Sequence, residues 1–399
     1  MLRVAVSLFL LQAGFHGYTA ALPLALSRAG RTDPEIGLIV GVAALIQIPA
    51  ALVAGMLIDR FGGVRLMVVG GVAYLLASLL LLLPGIEPEG PIAPFLAARI
   101  LQGIGLATAL PAGLSVIPRL VERARHGLAL AIGGSSHNLA LVVMPPLSVA
   151  VLGAVGFDGV HLVIGGVVVA GLATILARPV RPLPTPVEGL ATARRRLGFA
   201  YRADWTAPLA IMVLSVANWG VISAYLPQRA DAVNADIGLF FAAAGAGILL
   251  GRIPSGWLAD RLPPLWPILA GVTVTVVGML LLLVPPTTAL LVVAGALSGG
   301  GTALIVTPLL LVLSRRSNEA DRGSAFGLFA GSFALAIAIG SVGVAPVIER
   351  AGFELAMVAM LVALGLSGVV ALFDRGLRGQ ERDRTAGAAS AAELPPIEP

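Results

Sequence analysis

Apolar runs of about twenty residues recur along the whole chain, separated by short segments rich in charged residues, glycine and proline. A helix needs about twenty consecutive apolar residues to cross the hydrocarbon core of a bilayer. The runs therefore predict an all-α integral membrane protein with about twelve transmembrane helices. We place these helices at 4–27, 35–58, 66–84, 93–117, 127–152, 159–177, 207–228, 236–258, 265–284, 288–313, 322–347 and 354–374.

The composition excludes several classes of protein. Of the 399 residues, 58% are hydrophobic and 12% are charged, whereas soluble domains carry about 25% charged residues. The absence of cysteine excludes disulfides, thiolate metal sites and cysteine nucleophiles. The sequence also lacks a phosphate-binding loop, a metal-ligand cluster and a nucleophile elbow. We therefore expect neither an enzyme nor a protein with a bound cofactor or metal.

The arginines predict how the chain crosses the membrane. All 26 basic residues are arginine, and the formal net charge is +5. If the N-terminus is cytoplasmic, cytoplasmic segments hold 20 of the 26, and the outer loops hold only Arg28, Arg31, Arg229 and Arg350. Because short cytoplasmic loops carry an excess of positive charge, we expect both termini inside, in a bacterial inner membrane. Topology also explains the basic balance without nucleic acid as a partner.

The longest polar stretch lies in the middle of the chain and divides it into two halves. Residues 178–206 contain four prolines, followed by Arg194, Arg195 and Arg196. We predict a six-helix bundle at 1–177, a cytoplasmic linker at 178–206 and a second six-helix bundle at 207–374. The tail, 375–399, is charged and then rich in alanine and proline, which predicts disorder.

The two halves repeat each other. EIGLIVGVAALIQIPAALVAGMLIDR at 35–60 aligns without a gap on DIGLFFAAAGAGILLGRIPSGWLADR at 236–261, with eight of 26 positions identical. Shared apolar composition does not readily put an Asp-Arg pair at the same helix end twice. Parallel repeats of six spans are one known plan of transporters, with the substrate site between the repeats near the midplane.

Two motifs carry a family resemblance. The segment from Gly55 to Arg65 reads GMLIDRFGGVR, a degenerate copy follows at Gly256–Arg261, and the fourth run contains Arg99-Ile-Leu-Gln102-Gly103. Over about 1–375 the chain resembles the major facilitator superfamily, with its G-x-L-a-D-R-x-G-r-[KR] loop and R-x-x-Q-G segment.

The resemblance has departures. Pro263 and Pro264 replace the glycines of the second loop, and Met144-Pro145-Pro146 stands where many drug exporters of the family have G-P-x-x-G-G. The resemblance to the family nevertheless implies a monomeric secondary active transporter. Such a transporter has two pseudo-symmetric six-helix bundles and works by alternating access.

The resemblance also implies that the loop motif is a gate whose contacts hold the outward-facing state. An Asp at a helix end can accept N–H bonds from the start of a neighbouring helix, and paired glycines permit close approach. A solvated helix end that supports the topology is the alternative. The candidate gating residues are Gly55, Asp59, Arg60, Gly62, Gly63, Gly256, Asp260 and Arg261.

Polar side chains near the middle of the runs predict a solute and proton pathway. The candidates are His16, Arg99, Gln102, His137, Asn138, Asn218 and Trp219. Arg99 lies six residues inside its run, about 9 Å at 1.5 Å per residue, and arginines at such depth usually face a cavity. The alternatives are snorkelling of Arg99 to the surface and, for the others, hydrogen bonds between helices.

No Asp or Glu falls near the middle of any run. A pathway with arginine and histidine but no carboxylate favours a neutral or anionic small-molecule solute. We expect proton-coupled efflux of a small organic solute, with the histidines as proton carriers. Uptake of an organic acid or sugar, and a non-transporting sensor or scaffold on the same fold, are the alternatives.

Overall fold

A computed structural model describes residues 1–122, 125–180, 201–318 and 321–378. Within these ranges the chain is helical and has no strand, which confirms the predicted all-α membrane fold. Eleven helices are long and apolar enough to cross a membrane. A further apolar helix, Leu265–Leu281, is shorter, at 17 residues.

Among the described residues, six α-helices precede residue 178 and form what we call the first half. They are α1 (Leu2–His16 and Tyr18–Arg28, joined at Gly17), α2 (Asp33–Phe61), α3 (Gly63–Leu81), α4 (Ala93–Val116), α5 (His126–Val155) and α6 (Phe157–Leu176). The second half contains α7 (Thr206–Asp231), α8 (Ile237–Arg261), α9 (Leu265–Leu281), α10 (Thr288–Arg316), α11 (Arg322–Ala338) and α12 (Ala345–Phe373). A π-helical turn, Ile339–Gly343, continues α11.

The last predicted break in the chain is a kink rather than a loop. The sequence predicts separate helices at 322–347 and 354–374, whereas α12 already begins at Ala345. Within it, Gly352 has φ 80° and ψ 172°, a conformation that glycine adopts without a Cβ penalty. The chain therefore changes direction at one residue and stays helical on both sides.

Glu35 and Asp236, which align in the sequence repeat, lie at the starts of the equivalent helices α2 and α8. Glu35 forms a capping box with Thr32 at the start of α2, and Asp236 accepts hydrogen bonds from the amides of Gly238 and Leu239 at the start of α8. Each acid satisfies backbone N–H groups that have no partner within the helix. Their aligned positions in the sequence thus have a structural cause.

The two copies of the loop motif turn by different means. Gly62 links α2 to α3 with φ +89°, and a Cβ on Gly63 would lie 2.7 Å from the Ala112 carbonyl oxygen of α4. The second loop needs no glycine, because Leu262 is extended and Pro264 is the N-cap of α9. The prolines therefore preserve the connection with another backbone geometry.

Short connections make successive helices antiparallel, so the bundle has two ends. We call the end with Met1, Phe61 and Arg178 the linker end, and the end with Arg28 and Asp231 the distal end. At the linker end, the Arg3 Nη2 donates to the Arg178 carbonyl oxygen over 2.8 Å.

Polar contacts join the two halves at the distal end. Arg28 forms an ion pair with Asp231, with Nη2 2.7 Å from Oδ1 and Nε 3.1 Å from Oδ2. Beside it, the Gln228 side-chain amide donates to Asp33 over 2.8 Å. The structure is therefore closed at this end.

The start of the tail is folded. Leu377 is buried, and its carbonyl accepts a hydrogen bond from the Leu265 amide at the start of α9. Asp374, just before it, forms an ion pair with Arg316 at 2.6 Å. Residues 375–378 thus pack on the second half, where the sequence predicts disorder. The rest of the predicted tail, and most of the predicted linker, lie outside the described residues.

We predict that the linker end is cytoplasmic. The positive-inside bias of the arginines is the reason, since translocating short arginine-rich segments is unfavourable. Reporter fusions after Pro88 should be active outside the cytoplasm and fusions after Leu190 inside it. The opposite pattern at both positions would contradict the topology.

Candidate functional site

A cavity of about 510 Å³ lies between the two halves, near the middle of the helices. Both halves contribute apolar walls, including the rings of Phe15, Phe241 and Phe333. The polar lining residues are His16, Tyr18, Thr19, Gln47, Arg99, His137 and Asn138 from the first half, and Trp219, Ser223, Arg252, Thr302 and Thr307 from the second. The volume and mixed lining suit a small organic molecule.

Arg99 is buried at this cavity and bonds to the neighbouring helix. Its Nε donates to the Ile39 carbonyl oxygen over 3.1 Å, and its Nη2 to the Val40 carbonyl oxygen over 2.7 Å. Its Nη1 donates to Gln102 Oε1 over 2.6 Å, and its guanidinium lies 5.3 Å from the centre of the Phe15 ring. The side chain points inward instead of snorkelling. Two of its five N–H groups are not used by these bonds.

The two predicted pathway histidines meet, although they are far apart in sequence. His16 Nε2 lies 3.3 Å from His137 Nδ1, and the ring centroids are 4.4 Å apart. Gln12 Oε1 lies 2.9 Å from the same His137 nitrogen, and Thr19 Oγ1 lies 3.5 Å from His16 Nδ1. The contacts form a chain of polar groups across α1 and α5 at the cavity wall.

The second half faces these groups with Trp219, Thr302 and Arg252. The Trp219 indole donates to Thr302 Oγ1 over 3.0 Å. Arg252 lines the cavity and approaches α5, since a Cβ on Gly134 would lie 3.4 Å from its Nη1. A second arginine therefore joins the site from α8.

Among the described residues, no aspartate or glutamate lines the cavity. Arg99 and Arg252 thus lie at one cavity without a carboxylate beside them in its wall. An arginine remains charged in proteins, and a buried charge is costly unless it is paired. The cavity is therefore electrostatically suited to an anion.

Not every predicted pathway residue reaches the cavity. Gln102 contacts it only through Arg99. Asn138 is a lining residue, whereas Asn218 is turned toward α9, where its Nδ2 lies 3.2 Å from Met279 Sδ. The adjacent Trp219 takes the cavity-facing position instead.

The candidate gating residues lie at the linker end, away from the cavity. A Cβ on Gly55 or Gly256 would meet open space, so neither glycine serves a close helix contact in this conformation. Arg60 lies over the Phe61 ring and Arg261 over the Trp257 ring. The side chains of Asp59 and Asp260 lie outside the described part of the structure.

Sequence reasoning missed a second polar cluster beside the cavity. Tyr18 Oη lies 2.9 Å from His161 Nδ1 and 3.2 Å from Ser78 Oγ, and the Ser78 hydroxyl donates to the His161 carbonyl oxygen over 2.7 Å. His161 lies close to the start of its apolar run, where it resembles a loop residue. The available signal was Ser78, an isolated hydroxyl within the long apolar run of α3.

A family model described as Major Facilitator Superfamily matches residues 4–228 and 209–397. The 3-(3-hydroxy-phenyl)propionate transporter of Escherichia coli is 27% identical over 253 residues, which cover 58% of this chain and 57% of that protein. The uncharacterized MFS-type transporter YcxA of Bacillus subtilis is 27% identical over 220 residues, 52% of each. The chain thus spans about half the length of these curated relatives.

Two solved structures share the fold. A peptide transporter in complex with alafosfalin superposes with a TM-score of 0.73 at 17% identity, covering 94% of this chain and 95% of that one. The nucleoside transporter NupG superposes with a TM-score of 0.72 at 12% identity, covering 94% and 99%. At these identities the likeness concerns the fold alone.

Proposed function

The chain belongs to the major facilitator superfamily, and we propose that it is a membrane transporter that carries a small organic anion by alternating access. One observation carries this proposal. The cavity between the halves is lined by Arg99 and Arg252, and no carboxylate lines it among the described residues. The closed distal end fits one of the two end states that alternating access requires.

An anion is favoured over a cation or a neutral solute for a physical reason. A cation in this cavity would meet two guanidinium groups and, in the part of the chain that the structure describes, no compensating acid in the cavity wall. A neutral solute would leave the buried charge of Arg99 without a counter-charge, in surroundings where uncompensated charges are costly. An anion at Arg99 can accept bonds from the two N–H groups left over by Ile39, Val40 and Gln102.

The apolar walls favour a solute with an apolar body. Phe15, Trp219, Phe241 and Phe333 surround the polar groups, and such rings bury flat apolar surface well. The relative named as a 3-(3-hydroxy-phenyl)propionate transporter has a solute with a phenyl ring and a carboxylate. The likeness supports an organic acid as the class and leaves the individual acid open.

Transport by the purified protein in liposomes tests the proposal. We expect saturable movement of 3-phenylpropionate or of another member of a panel of aromatic and aliphatic monocarboxylates. Protein-free liposomes give the passive background, and 3-phenylpropionamide and phenethylamine are the matched uncharged and cationic compounds. Protein-dependent movement of the amine or amide, with none of any acid, would overturn the proposal.

The proposed direction is out of the cell, and it rests on the arrangement of the sequence motifs. Uptake of an organic acid is the alternative, and the cationic cavity serves either direction equally. Accumulation of the acid in cells with and without the protein distinguishes them, because an exporter lowers the internal level and an importer raises it.

The proposed coupling ion is the proton, and His16 and His137 are its proposed carriers. Their nitrogens lie 3.3 Å apart at the cavity wall, and histidine titrates in the physiological range. We expect His16→Gln and His137→Gln to reduce accumulation of the transported acid under an imposed pH gradient, since Gln keeps some hydrogen bonding but does not titrate. The alternatives are neutral histidines that only join α1 to α5, and a uniporter without coupling.

A third histidine provides the control. His161 is buried and bonds to Tyr18, but it does not line the cavity. His161→Gln should therefore retain pH-driven accumulation. Accumulation unchanged in both single variants and in the double variant would exclude His16 and His137 as carriers.

A further inference from the structure

About two turns of α2 are in close contact with other helices on two sides. These residues, Gly37 to Ala43, which we call the sealing segment, lie near the distal end, between α4 of the same half and α7 and α11 of the other half. On one side, polar bonds attach the sealing segment to α4, and on the other side, its glycines allow close contact with the second half.

On the α4 side, Arg99, Gln102 and Gly103 all serve the contact with the sealing segment. Arg99 donates to the carbonyl oxygens of Ile39 and Val40, and Gln102 accepts from Arg99 and fixes its guanidinium. A Cβ on Gly103 would lie 2.5 Å from the Ala43 carbonyl oxygen. Its absence lets the two helix backbones touch.

On the opposite side, the sealing segment forms part of the distal closure. A Cβ on Gly37 would overlap the Tyr225 hydroxyl and the Ser341 carbonyl oxygen, and a Cβ on Gly41 would overlap Ser341 Oγ. The Tyr225 hydroxyl itself donates to the Ser341 carbonyl oxygen over 2.5 Å. Ser341 lies in the π-helical turn after α11, and such turns recur at functional positions in helices.

We propose that Arg99, Gln102 and Gly103 hold α2 in the position that seals the distal end, so that Arg99 is a positioning residue for the distal gate. The close backbone contacts at these glycines, which have no Cβ, are lost when the helices move apart by a small distance. When α2 is no longer held by Arg99, it moves away from Ser341 and the seal weakens. The inference rests on the proposed function for alternating access, and it does not depend on which solute is carried.

Arg99 also connects the gate to the cavity. The same guanidinium lines the cavity and binds the carbonyl oxygens of the sealing segment. An anion that accepts from the two remaining N–H groups of Arg99 attracts the guanidinium that holds those carbonyl oxygens. Occupancy of the cavity therefore acts on the distal closure through one side chain.

The absence of native cysteine permits a direct test. Glu89→Cys and Val233→Cys place spin labels at exposed distal positions of the two halves. Double electron–electron resonance then gives the distribution of distances between the two labels in the absence of solute. Relative to the doubly labelled parent, Arg99→Gln should raise the ratio of long to short distances about tenfold. This change corresponds to about 1.4 kcal/mol of lost distal contact.

Arg252→Gln is the matched control, because it removes the same charge from the same cavity and none of the described hydrogen bonds to α2. Its distance distribution should equal that of the parent. If Arg99→Gln does not yield monodisperse protein, Arg99→Lys takes its place. Lysine keeps the charge without the planar guanidinium fork, so the distance distribution should shift in the same direction by a smaller amount. Distributions equal to the parent in every folded Arg99 variant, or an equal shift in Arg252→Gln, would overturn the inference. Failure of the anion proposal would appear only in the transport assay.

Discussion

Arg99→Gln should lower kcat/KM for the transported anion by about a hundredfold or more. Truncating one partner of a buried, hydrogen-bonded charge pair costs about 2–5 kcal/mol, and each 1.4 kcal/mol is about tenfold. The substitution removes the buried charge and the donors that hold Ile39 and Val40. The measurement is initial rate against concentration in liposomes with matched amounts of folded protein.

Arg252→Gln is the comparison for this result. Arg252 is more exposed than Arg99, and water screens an exposed charge more effectively than a buried one. We therefore expect a smaller decrease, of about tenfold or less, with most of the change in KM. Equal transport by wild type and Arg99→Gln would refute both the anion site and the role of Arg99 in it.

Gly299→Ala should be among the most destabilising single-methyl substitutions in the chain. A Cβ on Gly299 of α10 would overlap the backbone carbonyl oxygen of Ala244 in α8, and backbone cannot move aside as a flexible side chain can. Overpacking costs about 1–3 kcal/mol and occasionally more, so we expect a clear decrease in the melting temperature of the detergent-solubilised protein.

Gly365→Ala tests whether the contact causes this effect. Gly365 of α12 is also helical, but a Cβ there would meet no atom within 4 Å. Alanine has the higher helix propensity by about 1 kcal/mol, so this variant should be as stable as the parent or slightly more stable. Equal destabilisation of both variants would show that the loss of glycine itself, and not the close contact, is responsible.

The fold was predictable because few backbone conformations are stable inside a bilayer. Spans of apolar residues must be helical to satisfy their own backbone, so the hydrophobic runs alone define most of the helices. The exceptions are local. The kink at Gly352 and the folded residues around Leu377 depend on backbone conformation and on a contact with α9, neither of which leaves a periodic signal.

The sequence predicts how deep each site residue lies in the membrane, but not the direction in which its side chain points. Arg99 and Gln102 are three residues apart, so they share a helix face, and they are bonded in the structure. Asn218 and Trp219 have the same depth, but successive residues of a helix point about 100° apart, and only Trp219 lines the cavity. The contact between His16 and His137 requires the packing of α1 on α5, which no local pattern contains.

The ion pair at the distal end predicts that the proposed transport cycle is sensitive to ionic strength. The side chains of Arg28 and Asp231 are 49% and 30% exposed, so dissolved salt reaches and screens the bond between the halves. In the proposed cycle, opening of this end breaks the pair, and salt on that side favours opening without contacting the solute. We therefore expect a gradient of ordinary electrolyte across the membrane to change the time that the protein spends in each half of the cycle, and with it the rate of turnover.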